Sequence, residues 1–209
     1  VVDLPMDAWG VDVVVGGTQK ALMIPPGLAL CGVSDKAWAM VQRSRLPKFY
    51  FNFIAERKSL EKNQNTFTPA VSLVVALHES LAAIRAEGLT ALFARHDRLA
   101  RATRAGVRAL GLQLFTERPT PALTAITAPP GIEAGAIVKR LRVAHGITIS
   151  GGQAQLKGKI FRLAHLGYAD ESDVVICLAA LERTLADLGY PVKLGEGIRA
   201  VQEVLVQAC

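Results

Sequence analysis

Gly16-Gly17-Thr18-Gln19-Lys20-Ala21-Leu22-Met23-Ile24-Pro25-Pro26-Gly27 is the stretch on which the reading of the chain turns. A β-branched run over residues 11–15 leads into it and stops at the glycine pair, as a short interior strand does. Thr18-Gln19-Lys20 then fall on the turn, and Pro25-Pro26-Gly27 makes a second hard turn. Residues 28–33 read as another buried strand, and Ser34 is placed to cap a helix over 35–43. The order is strand, functional turn, strand, helix.

A lysine just after a buried strand, followed by Ala21-Leu22-Met23-Ile24, is expected to be partly desolvated. Desolvation disfavours the ammonium form, and a neutral amine is what imine formation with an aldehyde requires. On spacing alone, a lysine snorkelling out of a turn is the plain alternative.

Outward from this segment, residues 46–68 hold no period; Phe49-Tyr50-Phe51-Asn52-Phe53 is aromatic-rich and the following residues are polar. Pro69 fits the first turn of a helix whose apolar pattern, Val71, Leu73, Val74, Leu77, Leu81 and Ile84, runs to Gly88. A second helix covers 89–110, and the glycine between them marks a domain boundary, giving domains 1–87 and 88–209. Beyond Gly111 the expected elements are strands at 112–116, 123–128, 147–150 and 159–164, and helices at 134–144, 171–188 and 196–208. Strands with helices to one side make this a small α+β domain.

Composition narrows the classes. With 51% hydrophobic and 20% charged residues the chain is an ordinary globular protein. Its apolar runs are too short for a membrane helix, and no basic-then-apolar signal segment opens it, so a cytoplasmic setting is expected. Cys31, Cys177 and Cys209 are an odd number without metal-ligand or redox spacing. The net charge is +6, and Arg95, Arg98, Arg101, Arg104 and Arg108 recur at helical spacing. A solvated helix face is the preferred reading, because aromatics are only 6% of residues and no recognition motif accompanies the stripe; nucleic acid is not expected as a partner. A positive field would favour small anionic substrates.

The segment 16–27 resembles the lysine segment of class V aminotransferases, the fold type I pyridoxal-phosphate group that includes alanine-glyoxylate and serine-glyoxylate aminotransferases. Pro5-Met6-Asp7-Ala8-Trp9-Gly10-Val11-Asp12 looks like that family's approach to the lysine. The likeness extends more thinly through Thr68-Pro69-Ala70-Val71, His78-Glu79-Ser80-Leu81 and Phe161-Arg162-Leu163. It implies an α/β fold: the C-terminal part of a fold type I transferase, comprising the end of the large cofactor-binding domain and the small α+β domain.

The resemblance further implies a homodimer that uses pyridoxal 5′-phosphate to move an amino group between a small amino acid, alanine or serine, and a small 2-oxo acid, glyoxylate or pyruvate. Lys20 corresponds to the lysine that carries the cofactor as a Schiff base and then shuttles a proton. Thr18 and Gln19 stand where the family contacts the cofactor phosphate, and Thr68 matches a residue reaching the partner subunit's cofactor phosphate; a cap for the helix at Pro69 is the alternative for Thr68. Asn65 stands where the family often has tyrosine. Arg162 matches the arginine that holds the substrate α-carboxylate, its alternative being an edge-strand arginine facing solvent. His165 is expected to be structural, and Phe49, Tyr50 and Phe51 either line the substrate entrance or pack.

The family's aspartate for the pyridine nitrogen has no match, since Asp3 and Asp7 come too late. With no initiator Met and a strand almost at once, an N-terminal half is expected upstream. Two rivals stand beside transamination. A cysteine desulfurase would share the lysine turn but usually has histidine where Gln19 stands and a reactive loop cysteine. A non-catalytic dimerisation fragment is the other.

Overall fold

β1 (Val13–Gly17), the Lys20 turn, β2 (Ala29–Val33) and α1 (Asp35–Arg43) follow one another in the computed structural model, which describes residues 1–207. The expected end of the last helix at Ala208, and Cys209, lie outside the described residues. The chain forms two units: Asp3–Ala86, and the residues from Glu87 onward together with Val1–Val2.

In the first unit β1 and β2 pair antiparallel, from Val13 opposite Val33 to Gly17 opposite Ala29. They were expected to be buried. Instead Val15 is 68% and Leu30 43% exposed, because a two-stranded sheet has two open edges and its valines bury only where a second layer covers them. Ser34 caps α1 as expected, its Oγ accepting from the Ala37 N–H at 3.1 Å. A helix absent from the sequence reading, α2 (Phe53–Leu60), follows Asn52, whose Oδ1 accepts from Ile54 and Ala55. It has no buried residue, so no apolar period announced it; the asparagine cap was its one signal. Helix α3 (Val71–Glu87) starts two residues after Pro69, which leaves Thr68 too early to be its cap.

In the second unit α4 (Leu89–Ala109), α5 (Ala134–His145), α6 (Glu171–Asp187) and α7 (Glu196–Val206) enclose one core with a three-stranded antiparallel sheet. Its strands, β3 (Leu123–Thr127), β4 (Ser150–Gly151) and β5 (Ile160–Ala164), lie in the order β3-β5-β4. The strand expected at 112–116 reduces to a bridge between Leu114 and Ile126, beyond which Pro119 and Pro121 end any ladder. That expected at 147–150 shrinks to the two residues of β4. Phe161, Leu99, Leu178, Leu181 and Leu185 are fully buried, each worth roughly 1.5–3 kcal/mol against exposure. Where α4 meets α7, a Cβ on Gly106 would stand 2.8 Å from Val201 Cγ2 and 3.1 Å from the Gly197 carbonyl oxygen, so a glycine permits the close crossing.

The arginine stripe is the solvated face expected only in part: Arg101 and Arg108 are exposed, whereas Arg95, Arg98 and Arg104 are half-buried. Arg95 forks onto the Glu87 carboxylate and donates to the Gly167 and Ala169 carbonyls; Arg98 pairs with Glu171, Arg101 with Asp97, and Arg104 donates to the Thr120 carbonyl. Three of its charges are offset by carboxylates, and Arg95 and Arg104 fasten loops to α4.

Candidate active site

The Lys20 turn is closed by its own backbone. Met23 N–H donates to the Lys20 carbonyl at 3.0 Å, and Ile24 N–H to the Thr18 carbonyl at 3.4 Å. Thr18 is fully buried, its hydroxyl donating at 3.2 Å to the Leu28 carbonyl, so the turn and the start of β2 are stapled together. Ile24, 7% exposed, anchors the far side. Gln19 folds back over Gly17: a Cβ there would stand 2.5 Å from Gln19 Oε1. The glycine thus gives the amide a seat beside the lysine.

Gln19 and Lys20 are both exposed. The burial expected of Lys20 is therefore not supplied by these residues: Ile24 is buried and residues 21–23 are half-buried, while the lysine itself is exposed. Its Nζ has no hydrogen bond or ion pair among the described residues. A partnerless primary amine on a braced turn, with an amide donor next to it, is a donor set that fits an aldehyde cofactor carrying an anionic group. Thr18 fits less directly, since its single hydroxyl proton already serves Leu28.

Thr68 is brought elsewhere in the same unit. It lines an open depression of about 330 Å³ with Leu28, Tyr50, Phe51, Asn65 and Phe67. Of the aromatics expected at a substrate entrance, Tyr50 and Phe51 pack edge to face with ring centroids 5.2 Å apart, yet Phe51 is 90% exposed.

In the other unit Arg162 lies on β5, the central strand, which removes the edge-strand alternative. Phe161 and Leu163 on either side enter the core, so by strand alternation Arg162 faces the opposite way. Its Nε donates to the Gly151 carbonyl at 3.0 Å. The two terminal nitrogens have no protein partner among the described residues, which leaves a planar fork for a carboxylate. Nearby is an open depression of about 260 Å³ lined in part by Ser150, Arg162, Asp173 and Cys177. Cys177 lies within α6, not on a loop, and burial pushes its thiol up to about 11, which makes it a poor thiolate source.

His165 is buried beside Arg162's strand, its Nε2 2.9 Å from Thr124 Oγ1. Burial foremost, with the Arg104 charge adding to it, holds the imidazole down at about 4. The sequence reading missed His96, whose Nδ1 lies 2.7 Å from the Leu92 carbonyl while Nε2 accepts the Gly167 N–H at 3.0 Å. That fixes a neutral ring protonated on Nδ1. A lone polar residue in the apolar series Leu92, His96, Leu99 was the available signal.

Among the described residues no group of three or more His, Cys, Asp or Glu could hold a metal, and no helix is long and apolar enough to cross a membrane.

No family model matches the chain. Among curated proteins it is 45% identical to a protein named soluble hydrogenase, small subunit, of Synechococcus sp., over 99% of this chain and 54% of that one. It is 40% identical to the L-aspartate–glyoxylate aminotransferase of Paracoccus denitrificans, over 96% of this chain and 52% of that one. Among solved structures it superposes on the pyridoxamine-pyruvate aminotransferase of Mesorhizobium loti with a TM-score of 0.94 and 30% identity, over 100% of this chain and 55% of that one. The chain thus spans about half the length of the relatives it matches.

Proposed function

We propose, from a chain similar in sequence and fold to the C-terminal portion of class V, fold type I pyridoxal-phosphate aminotransferases, that the whole protein transfers an amino group between a small amino acid and a small 2-oxo acid. The observation that carries this reading is Lys20, a partnerless amine on a turn stapled by Thr18 to Leu28. Residues 1–87 are the end of the large cofactor-binding domain in this reading, and 88–209 the small domain.

When bound, pyridoxal phosphate supplies an electron sink for the pair released at the substrate Cα. Lys20 Nζ would hold the cofactor and, once the substrate amine had displaced it, would be the base that carries the proton to and from that carbon. Gln19 would offer its amide to the phosphate, Thr18 would brace the turn beneath it through its bond to Leu28, and Thr68 would serve the phosphate of the other copy in a homodimer. Arg162 takes the substrate α-carboxylate on its two terminal nitrogens.

Glyoxylate or pyruvate as acceptor is supported by the names of the two aminotransferase relatives. Alanine or serine as donor follows from the single carboxylate clamp that the chain assigns by motif; aspartate, named for the Paracoccus relative, needs a second cation. Sulfur transfer is disfavoured by Gln19 and by the half-buried helical thiol of Cys177, whose pKa is raised. The hydrogenase name of one relative is not carried over, because amino transfer is what Lys20 and the solved neighbour support together.

Borohydride reduction of the cofactor-loaded whole protein, followed by peptide mass mapping, tests the reading. A pyridoxyl group on Lys20 is expected. Recovery on another lysine, such as Lys48 or Lys157, overturns the site, and no label at all favours a non-catalytic fragment.

A further inference from the structure

Helix α3 runs for 17 residues, and only Ser80 among them is buried. An apolar helix that buries a serine in place of its valines and leucines is placing a polar contact. The hydroxyl of a serine within a helix ordinarily returns to its own preceding turn. Here Ser80 Oγ instead donates across the unit to the Leu22 carbonyl, at 2.6 Å.

Leu22 lies inside the reversal that begins at Lys20. The Lys20 carbonyl accepts from Met23 N–H, and Met23 has φ +60°, a left-handed conformation unfavourable for a side chain of its size. The reversal is therefore not the relaxed shape of these residues. Gly27, at φ +145°, lets the chain pass Leu73 of the same helix, where a Cβ would come within 2.5 Å of Leu73 Cδ1. So α3 bears on both ends of the segment following the lysine.

We propose that Ser80 is a positioning residue for Lys20: by holding the Leu22 carbonyl it keeps the strained Lys20–Met23 reversal closed and so fixes where the lysine side chain starts. The proposal rests on the reading of Lys20 as the cofactor lysine. Ser80 itself touches neither cofactor nor substrate.

The test uses the whole protein with Ser80→Ala and Ser80→Thr. Alanine removes the hydroxyl while favouring the helix; threonine keeps a donor. Two quantities are read in the cofactor-free protein: amide hydrogen exchange at Met23, and the rate at which added pyridoxal phosphate becomes borohydride-trappable on Lys20. Loss of one neutral hydrogen bond should speed Met23 exchange and slow trapping about five- to tenfold in Ser80→Ala. In the loaded protein kcat should fall with KM for the amino acid unchanged, and Ser80→Thr should restore all three. Wild-type exchange and trapping in Ser80→Ala overturn the proposal. If Ser80→Ala does not fold, Ser80→Val against Ser80→Thr makes the same comparison: equal behaviour overturns it, and slow trapping in Ser80→Val alone supports it. If unaltered protein traps no label on Lys20, the functional reading fails, while Met23 exchange still reports on the Ser80 bond.

Discussion

The Glu182 carboxylate, on α6, accepts the backbone N–H of Gly195 at 2.7 Å and that of Ile198 at 3.1 Å. It thereby caps α7, whose own N-cap, Gly195, offers no side chain. Glu182 is 2% exposed, and its carboxylate and the part-buried helix N-terminus satisfy each other. Glu182→Ala leaves two part-buried N–H groups without their charged acceptor and should cost about 1.5–3 kcal/mol. Glu182→Gln keeps an acceptor and should lose less. Urea unfolding of both variants checks the order; equal losses would mean that packing, not capping, is the contribution.

Gly106→Ala pits two effects against each other. Alanine gains about 1 kcal/mol of helix propensity, but its Cβ would meet Val201 Cγ2 and, 3.1 Å away, the Gly197 carbonyl oxygen. A side chain can shift; a helix backbone cannot without moving the α4–α7 crossing. Overpacking of this kind costs about 1–3 kcal/mol, so a net loss is expected, only partly relieved by adding Val201→Ala. A thermal melt showing Gly106→Ala more stable than the parent would contradict the close crossing.

Acid should destabilise the C-terminal unit. Burial holds His165 down to about 4 and lowers His96 as well, so both rings are neutral in the fold where an unfolded chain would already be protonated. Stability is whole above the unfolded histidine value, falls as pH drops below about 6.5, and stops falling on this account once pH passes the folded values. For His165 alone the loss approaches about 3 kcal/mol at pH 4. His165→Gln should flatten the slope of urea-derived stability between pH 6.5 and 4; an unchanged slope would assign the acid sensitivity elsewhere.

Arg162→Ala and the choice of donor test the substrate end of the proposed reaction together. With the fork gone, label at Lys20 should persist while KM for the amino acid rises and kcat falls through lost orientation, by about 10²-fold or more in kcat/KM. Arg162→Lys keeps the charge but not the paired hydrogen bonds and should recover little. Steady-state rates over a panel of donors should favour alanine and serine. A higher kcat/KM for aspartate or glutamate would place a second cation at the site and sink the small-donor proposal.

Local chemistry was legible without coordinates. The glycine pair before Lys20, the prolines after it, and Ser34 before α1 specify backbone conformations and caps through nearest neighbours, so the strand-turn-strand-helix order could be read from residues 11–43. The alternation around Arg162 likewise marked a charge between two core residues. What the sequence left undetermined depended on contacts distant along the chain. Whether Val13 to Val15 are buried is decided by what covers a sheet, and among the described residues β1 and β2 have only each other as strand neighbours. Arg162 gained a central strand only when β3, far away in sequence, paired with β5. The arginine stripe looked solvated because its spacing reports a helix face and says nothing of Glu87, Glu171 or the Gly167 loop that meet it. Ser80, His96 and Glu182 are the clearest cases: each sits on a helix at an unremarkable position, and each takes its role from a backbone group 13 to 71 residues away. Sequence fixes propensities residue by residue, whereas a buried polar group acquires its partner only when the chain closes around it and leaves that partner no water.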